Sequence, residues 1–303
     1  MVTKISVVIP TYNRKPILTQ CLDALEKQDW QGDYEVVVVD DGSVDGTVEF
    51  LKESTQRFPH TKLYLQDHKG PAAARNLGIE KAEGDTIIFI DSDLVVTEVF
   101  LRSHVEILNQ HPGEKVFTYG RVVNTANFEN PTSEPFKITD MSRAYFATGN
   151  VAIAKKWLLQ AGPFDEAFSL YGWEDLELGV RLKNLGLKII QCPEAVGYHW
   201  HPAFSMDQLP SLIRKEFERG KMGVIFYKKH PTWDVRMMIQ MTPLHQILWG
   251  LLSLGGTLNE KTMAPLLQYL IDRGRSQVAL EIARIFLNWY NVQGVYEAYR
   301  ESS

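Results

Sequence analysis

The apolar positions of the first 96 residues fall in short unbroken runs, separated by stretches of helical period. ISVVIP (5–10), YEVVVVD (34–40), KLYLQ (62–66) and TIIFI (86–90) show little polar alternation. That pattern predicts strands covered on both faces, as in a parallel sheet with helices above and below. Helical patterns lie between them, over about Lys15–Gln28, Val44–Arg57 and Ala72–Ala82. The order β-α-β-α-β-α-β, wound by right-handed crossovers, predicts an α/β fold with a mainly parallel central sheet flanked by helices. KVFTYGRVV (115–123), VAIA (151–154) and LKIIQC (187–192) predict further strands, with helices at about 155–161 and 174–185. Residues 124–140, with little periodicity and two prolines, predict a long functional loop. From about Met206 the strands stop, and helices broken near Pro231, Pro243 and Gly255–Gly256 follow. The expected division is therefore 1–204 and a C-terminal helical region, 205–303. LHQILWGLLSLGG (244–256) is too short to span a bilayer; a buried core helix is expected, with an interfacial membrane helix as the rival. Lys221, Lys228 and Lys229 upstream are expected on a solvated face, facing anionic lipid only in the rival case.

The fourth strand runs into Asp91-Ser92-Asp93, two like charges at a strand's carboxyl end, which is where open α/β sheets bind ligands. Two neighbouring carboxylates repel unless a proton or cation lies between them, and oxygen ligands suit Mg²⁺ or Mn²⁺. The bland alternative is a pair of solvated aspartates capping the next helix, and Asp-x-Asp arises by chance about once in a chain of this length. The second strand ends in Asp40-Asp41, and a carboxylate there can accept a hydrogen bond from a nucleobase or ribose. Tyr12 adds an aromatic face, and Arg75 a cation for a phosphate or base edge. No G-x-G-x-x-G follows the first strand, which disfavours a dinucleotide-binding domain. His199 and His201 point the same way if YHWHP is extended. The net charge of −5 argues against nucleic acid as a partner, and two cysteines are too few for a disulfide framework. With no apolar run long enough to cross a membrane and no signal-peptide pattern, a cytoplasmic location is expected, with the inner membrane face as the peripheral alternative.

VVIPTYNR (7–14), VVVVDDGSVDGT (36–47), AAARNLGIEKAEGD (72–85), DSD (91–93) and GWEDLELGVRL (172–182), in this order, resemble the family 2 glycosyltransferases of GT-A fold. The later segment is similar to chondroitin-polymerase-type catalytic domains and to the galactosyltransferase motif rich in Trp, Gly, Glu and Asp. The resemblance covers about residues 4–202. It implies a donor half, about 1–95, and an acceptor half, about 96–204. It further implies an inverting, Mn²⁺- or Mg²⁺-dependent enzyme. Asp93 falls at the direct metal ligand, Asp91 at a ribose contact or the metal's water shell, and His199 where metal coordination is completed, with His201 as the alternative. Asp41 aligns with the aspartate that accepts the ring N–H of uracil or thymine. Pro10 and Tyr12 line that pocket, and Arg14, Gly70, Arg75 and Ser92 join the donor-binding set. Asp175 aligns with the general base and Glu174 with an acceptor ligand. Trp173 is expected as a platform for a sugar face, with Gly149 and Asn150 allowing close backbone approach. The implied partners are a nucleotide sugar, UDP-linked by preference, and a glycan or lipid-linked glycan acceptor, with membrane contact through the C-terminal helices as a further expectation. The Gln-x-x-Arg-Trp motif of processive synthases is missing, so single addition is expected. Three rivals fare worse. A haloacid-dehalogenase phosphatase carries its Asp-x-Asp after the first strand, a nucleotidyltransferase needs a Gly-rich, Arg-containing loop where PTYNR stands, and a nucleotide-sugar-binding module without activity would need a damaged site.

Overall fold

The structure is a computed structural model that describes residues 2, 4–137, 140 and 144–301. Ile138 and Thr139 of the expected long loop lie outside the described residues.

Strands β1 (Lys4–Thr11), β2 (Asp33–Asp40), β3 (Thr61–Leu65) and β4 (Thr86–Ile90) are parallel, with β1 between β2 and β4 and β3 outside β2. Helices α1 (Lys15–Leu25), α2 (Thr47–Glu53) and α3 (Pro71–Lys81) make the crossovers. The unbroken valines of β2 have a simple cause. Val36 and Val38 pack with Leu18, Leu22 and Leu25 of α1, while Val37 and Val39 pack with Ala72, Ala74 and Ile79 of α3. Successive side chains of a strand point to opposite faces, and both faces are covered. Helix α2 is shorter than its apolar pattern, because Gly46 at φ +81° and Asp45, which accepts from the Thr47 amide and hydroxyl, start it late.

Beyond β4 come β5 (Leu94–Val96), α4 (Phe100–Gln110), β6 (Val116–Thr125), β7 (Asn150–Ala154), α5 (Lys155–Ala161), α6 (Glu174–Asn184) and β8 (Lys188–Trp200). The sheet has eight strands in the order β3-β2-β1-β4-β7-β6-β8-β5. It is mixed, because β7 runs antiparallel to β4 and β6, and β5 antiparallel to β8. Strand β8 outlasts the expected LKIIQC. Gly120 pairs with Cys192 and Arg121 with Val196, so Pro193, Glu194 and Ala195 leave the ladder as a bulge and pairing resumes. Gly120 sits where a Cβ would run into the Ala195 carbonyl and the Asn150 amide.

The contacts divide the chain into two units, one of residues 1–166 with 174–202, the other of 167–173 with 203–303. The first is the sheet with its helices. The second holds α7 (Leu209–Lys229), α8 (Trp233–Met238), α9 (Pro243–Leu252), α10 (Glu260–Asp272) and α11 (Ser276–Glu301). Helices α7 and α11 come into backbone contact at Gly220 and Gly294, where any Cβ would meet the Asn291 or Phe217 carbonyl. Phe204, Leu209, Leu267, Leu270, Phe286 and Leu287 form the core of this unit.

The segment 244–256 corrects the expectation of a buried core helix. No residue of α9 is buried. It meets α11 by a narrow edge, with Gly250 beside the Trp289 ring, and Leu244, Ile247, Leu248, Leu251 and Leu252 are exposed. Among the described residues, no helix is long and apolar enough to cross a membrane.

Candidate active site

The fully buried β4 ends at Ile90, and the chain turns through Asp91-Ser92-Asp93 into β5. The β5–β8 register sets Leu94 opposite His199, which carries the imidazole to the Asp93 carboxylate, Nε2 to Oδ1 2.8 Å. The Trp200 amide donates to the Asp93 carbonyl at 2.9 Å and locks that register. The His201 ring lies 4.1 Å from that of His199. Asp93, His199 and His201 each offer one ligand atom, all within 4.8 Å of one another. One carboxylate and two imidazoles are a donor set that a divalent cation can take. The Arg14 Nη1 pairs with Asp93 Oδ2 at 3.0 Å. Burial alone would raise the Asp93 carboxyl, but the His199 hydrogen bond and the charges of His199 and Arg14 hold it below its ordinary value. Burial and the charge of His199 push His201 down to about 4, so it stands neutral and free to ligate.

Arg75 of α3 joins the strand end to a second acidic pair. Its side chain is 7% exposed; Nη2 donates to Asp91 Oδ1 at 3.1 Å and Nη1 to Glu174 Oε1 at 2.9 Å. Glu174 and Asp175 open α6, where a helix N-terminus favours negative charge. The half-buried Asp175 accepts from the Leu176 amide at 2.7 Å. Burial and the adjacent Glu174 nevertheless push its carboxyl up to about 7. Glu177, one turn on, is committed to Arg181 at 2.7 Å. Gly149 faces the Asp91 carboxylate, and a Cβ there would stand 3.4 Å from Oδ2. Ser92 is buried between the two aspartates in sequence.

At the ends of β1 and β2 the arrangement is tighter than expected. Asp40 Oδ1 accepts from the amides of Gly42 and Ser43 and shapes the turn. The Asp41 carboxylate already accepts three hydrogen bonds. Its Oδ1 accepts from Gln66 Nε2 and the Lys69 amide, and its Oδ2 from the Gly70 amide, while His68 Nδ1 is hydrogen-bonded to the Asp41 backbone carbonyl at 3.1 Å and lies 2.8 Å from Oδ2. It thereby fixes the 66–70 loop, including Gly70 at φ +91° ahead of α3. A base N–H approaching this carboxylate meets these donors and the well-exposed His68. His68 also stacks on the exposed Tyr12, with centroids 4.2 Å apart. Sequence reasoning missed His68 and Gln66, and only their place two and four residues before Gly70 pointed to them. Pro10 lies half-buried on β1 beside Val39.

Trp173, expected as a sugar platform, is corrected, and the Asn150 side chain is engaged within the sheet. Asn150 is fully buried: its Oδ1 faces His104 Nε2 at 2.9 Å and its Nδ2 donates to the Arg121 and Ala195 carbonyls, so it ties the sheet together. Trp173 is 5% exposed and belongs to the helical unit, where its indole N–H donates to the Arg219 carbonyl at 2.7 Å and the Arg219 guanidinium lies over its ring. Neither side chain presents a face to an acceptor.

Residues 6–168, more than half of the chain, match the family described as Glycosyl transferase family 2. The chain belongs to glycosyl transferase family 2. As a glycosyltransferase of that family it is 32% identical over 241 residues to the chondroitin synthase of Escherichia coli, a match covering 65% of this chain and 35% of the relative. It thus spans about a third of that relative's length. Among solved structures, a mannosyltransferase of Pyrobaculum calidifontis in complex with GDP-Man and Mn²⁺ superposes with a TM-score of 0.60 at 18% identity, covering 100% of this chain and 88% of that one. TarS 1-349 of S. aureus in complex with UDP gives 0.54 at 19% identity, covering 99% and 92%. Both share the GT-A fold of this family 2 chain.

Proposed function

We propose that this glycosyltransferase moves a sugar from a nucleoside diphosphate, UDP by preference, to a hydroxyl of a glycan or lipid-linked glycan, with inversion at the anomeric carbon. One observation carries the reading. Arg75 holds together two carboxylate pairs of opposite character, Asp91 and Asp93 at a strand end and Glu174 and Asp175 at a helix start. Asp93, His199 and His201 fit a divalent cation, and the P. calidifontis neighbour is described with Mn²⁺. When bound, such an ion neutralises charge on the departing diphosphate. Asp175, raised to about 7, is poised as a base near neutral pH. Its carboxylate takes the proton of the acceptor hydroxyl, and the freed oxygen attacks the anomeric carbon opposite the diphosphate. Glu174, held by Arg75, orients the acceptor. Tyr12, Pro10 and Gly70 frame the base beside Asp41, with Arg14 and Ser92 near the diphosphate. Addition of one sugar per encounter is part of the proposal; its support is the missing Gln-x-x-Arg-Trp motif, and product length on a defined acceptor tests it.

The principal test is calorimetry of UDP binding with Mn²⁺ and with chelator. Chelation is expected to weaken binding at least about tenfold, since the diphosphate otherwise faces uncompensated carboxylates. Asp93→Ala and His199→Ala should reproduce the chelated value. Equal affinity in all four titrations would refute the metal assignment.

A further inference from the structure

Helices α8 and α9 present an apolar surface that the site does not use. Leu244, Ile247, Leu248, Leu251 and Leu252 recur at the spacing of a single helix face, and they point outward, with Ile247 61% and Leu251 70% exposed. Trp233, 63% exposed, with Met237, Met238 and Leu254, extends the apolar exposure on either side in sequence. Between Arg236 and Glu260 the chain holds no Asp, Glu, Lys or Arg. A stripe of this size is not left to water on a monomer without a use.

Charge indicates what covers it. Residues 228–275 hold six Lys and Arg against three Asp and Glu, whereas the whole chain carries −5. The apolar stripe is therefore set in the positive part of an otherwise acidic protein. A second copy would bring this excess positive charge onto itself, because a two-fold interface pairs a patch with its own image. A surface of anionic lipid headgroups complements both features: acyl chains take the leucines, and the phosphates attract the lysines and arginines. An exposed Trp at the edge of the stripe suits the headgroup level.

We propose that α8 and α9 form a docking surface for an anionic lipid bilayer, lying in the interface without crossing it. The full chain is tested by flotation with vesicles of phosphatidylglycerol and phosphatidylcholine, against phosphatidylcholine alone. It is expected to float with the anionic vesicles and to be released by high salt. Ile247→Glu with Leu251→Glu should lower the partition at least about a hundredfold, on the order of tenfold for each lost anchor. Both positions are exposed, and far-UV circular dichroism checks the fold. Lys261→Gln with Arg275→Gln, which leaves the stripe intact, should lower it about twentyfold on anionic vesicles. A chain that stays unbound to anionic vesicles overturns the proposal, as does a Glu variant that floats like the wild type. So does a concentration-dependent dimer, seen by sedimentation without flotation and dissociated by the same Glu substitutions.

Discussion

Replacing Asp175 by Asn keeps the shape of the side chain, removes its charge, and moves two observables in opposite directions. In the folded protein the carboxyl sits at about 7 against an ordinary value of 3.8, for reasons of burial and the adjacent Glu174. Such a shift means that the ionised form is disfavoured by the fold. Wild-type stability is therefore fullest below about pH 4 as far as this group is concerned, and falls as pH rises toward 7. Without solvent screening, a carboxyl moved from 3.8 to about 7 corresponds to about 4 kcal/mol. Partial exposure and local relaxation reduce this to about 1–2 kcal/mol. At pH 8, Asp175→Asn should thus be more stable than the wild type by about 1–2 kcal/mol, a rise of a few degrees in melting temperature, and the gain should vanish near pH 4. Transfer should meanwhile fall by about 10² to 10⁴, with UDP affinity unchanged. In the wild type, transfer should rise with pH along an acid limb centred near 7, since only the ionised base accepts a proton. Calorimetric melts across pH 4–8, beside a coupled assay of UDP release, measure both. A variant no more stable than wild type at pH 8 would show that the carboxyl is well solvated. Transfer within a few fold of wild type would move the base elsewhere, with Glu174 first in line.

Arg75→Met should destabilise the protein by about 3–5 kcal/mol in urea unfolding, because it strands Glu174 and Asp91 without their buried cation; a loss under about 1 kcal/mol would mean that the bridge is solvated. Gly120→Ala should cost about 1–3 kcal/mol, since its methyl group collides with the Ala195 carbonyl and the Asn150 amide. An unchanged melting temperature would show that the β8 bulge yields freely.

The parallel half of the sheet was legible because its causes are local: β2 is all valine where both faces are covered, and turn residues punctuate each crossover. The antiparallel direction of β7 was not, as the four apolar residues Val151–Ala154 carry no sign of which neighbour they will meet. Pro193 ended β8 too soon on sequence grounds, although it occupies the bulge and the strand resumes to bring in His199. Helix α4, with its stripe of Phe100, Leu101 and Val105, entered only as the next helix beyond Asp91-Ser92-Asp93, with no bounds of its own. At the site, the acidic pairs and the parallel pointing of His199 and His201 could be read from spacing. What could not be read was how far each group is already engaged. Whether Asp41 is free to bind a base, or Trp173 to bind a sugar, depends on partners such as the Lys69 and Gly70 amides and the Arg219 carbonyl that only the fold assembles.

The seven residues Ala167–Trp173 have a consequence for anyone recombining these enzymes. They sit inside the span of the sheet unit yet are packed as part of the helices, and the very next residue is Glu174. A chimera cut only at residue 202 would exchange the helices while leaving this insert behind, and Trp173 would lose its lodging over Arg219 and beside Phe226. The interchangeable cassette is therefore discontinuous in the gene, a short internal piece travelling with a long terminal one. Lineages that shuffle the tail are expected to co-inherit the insert, so that covariation between positions 167–173 and α7 should stand out against the background of the catalytic sheet.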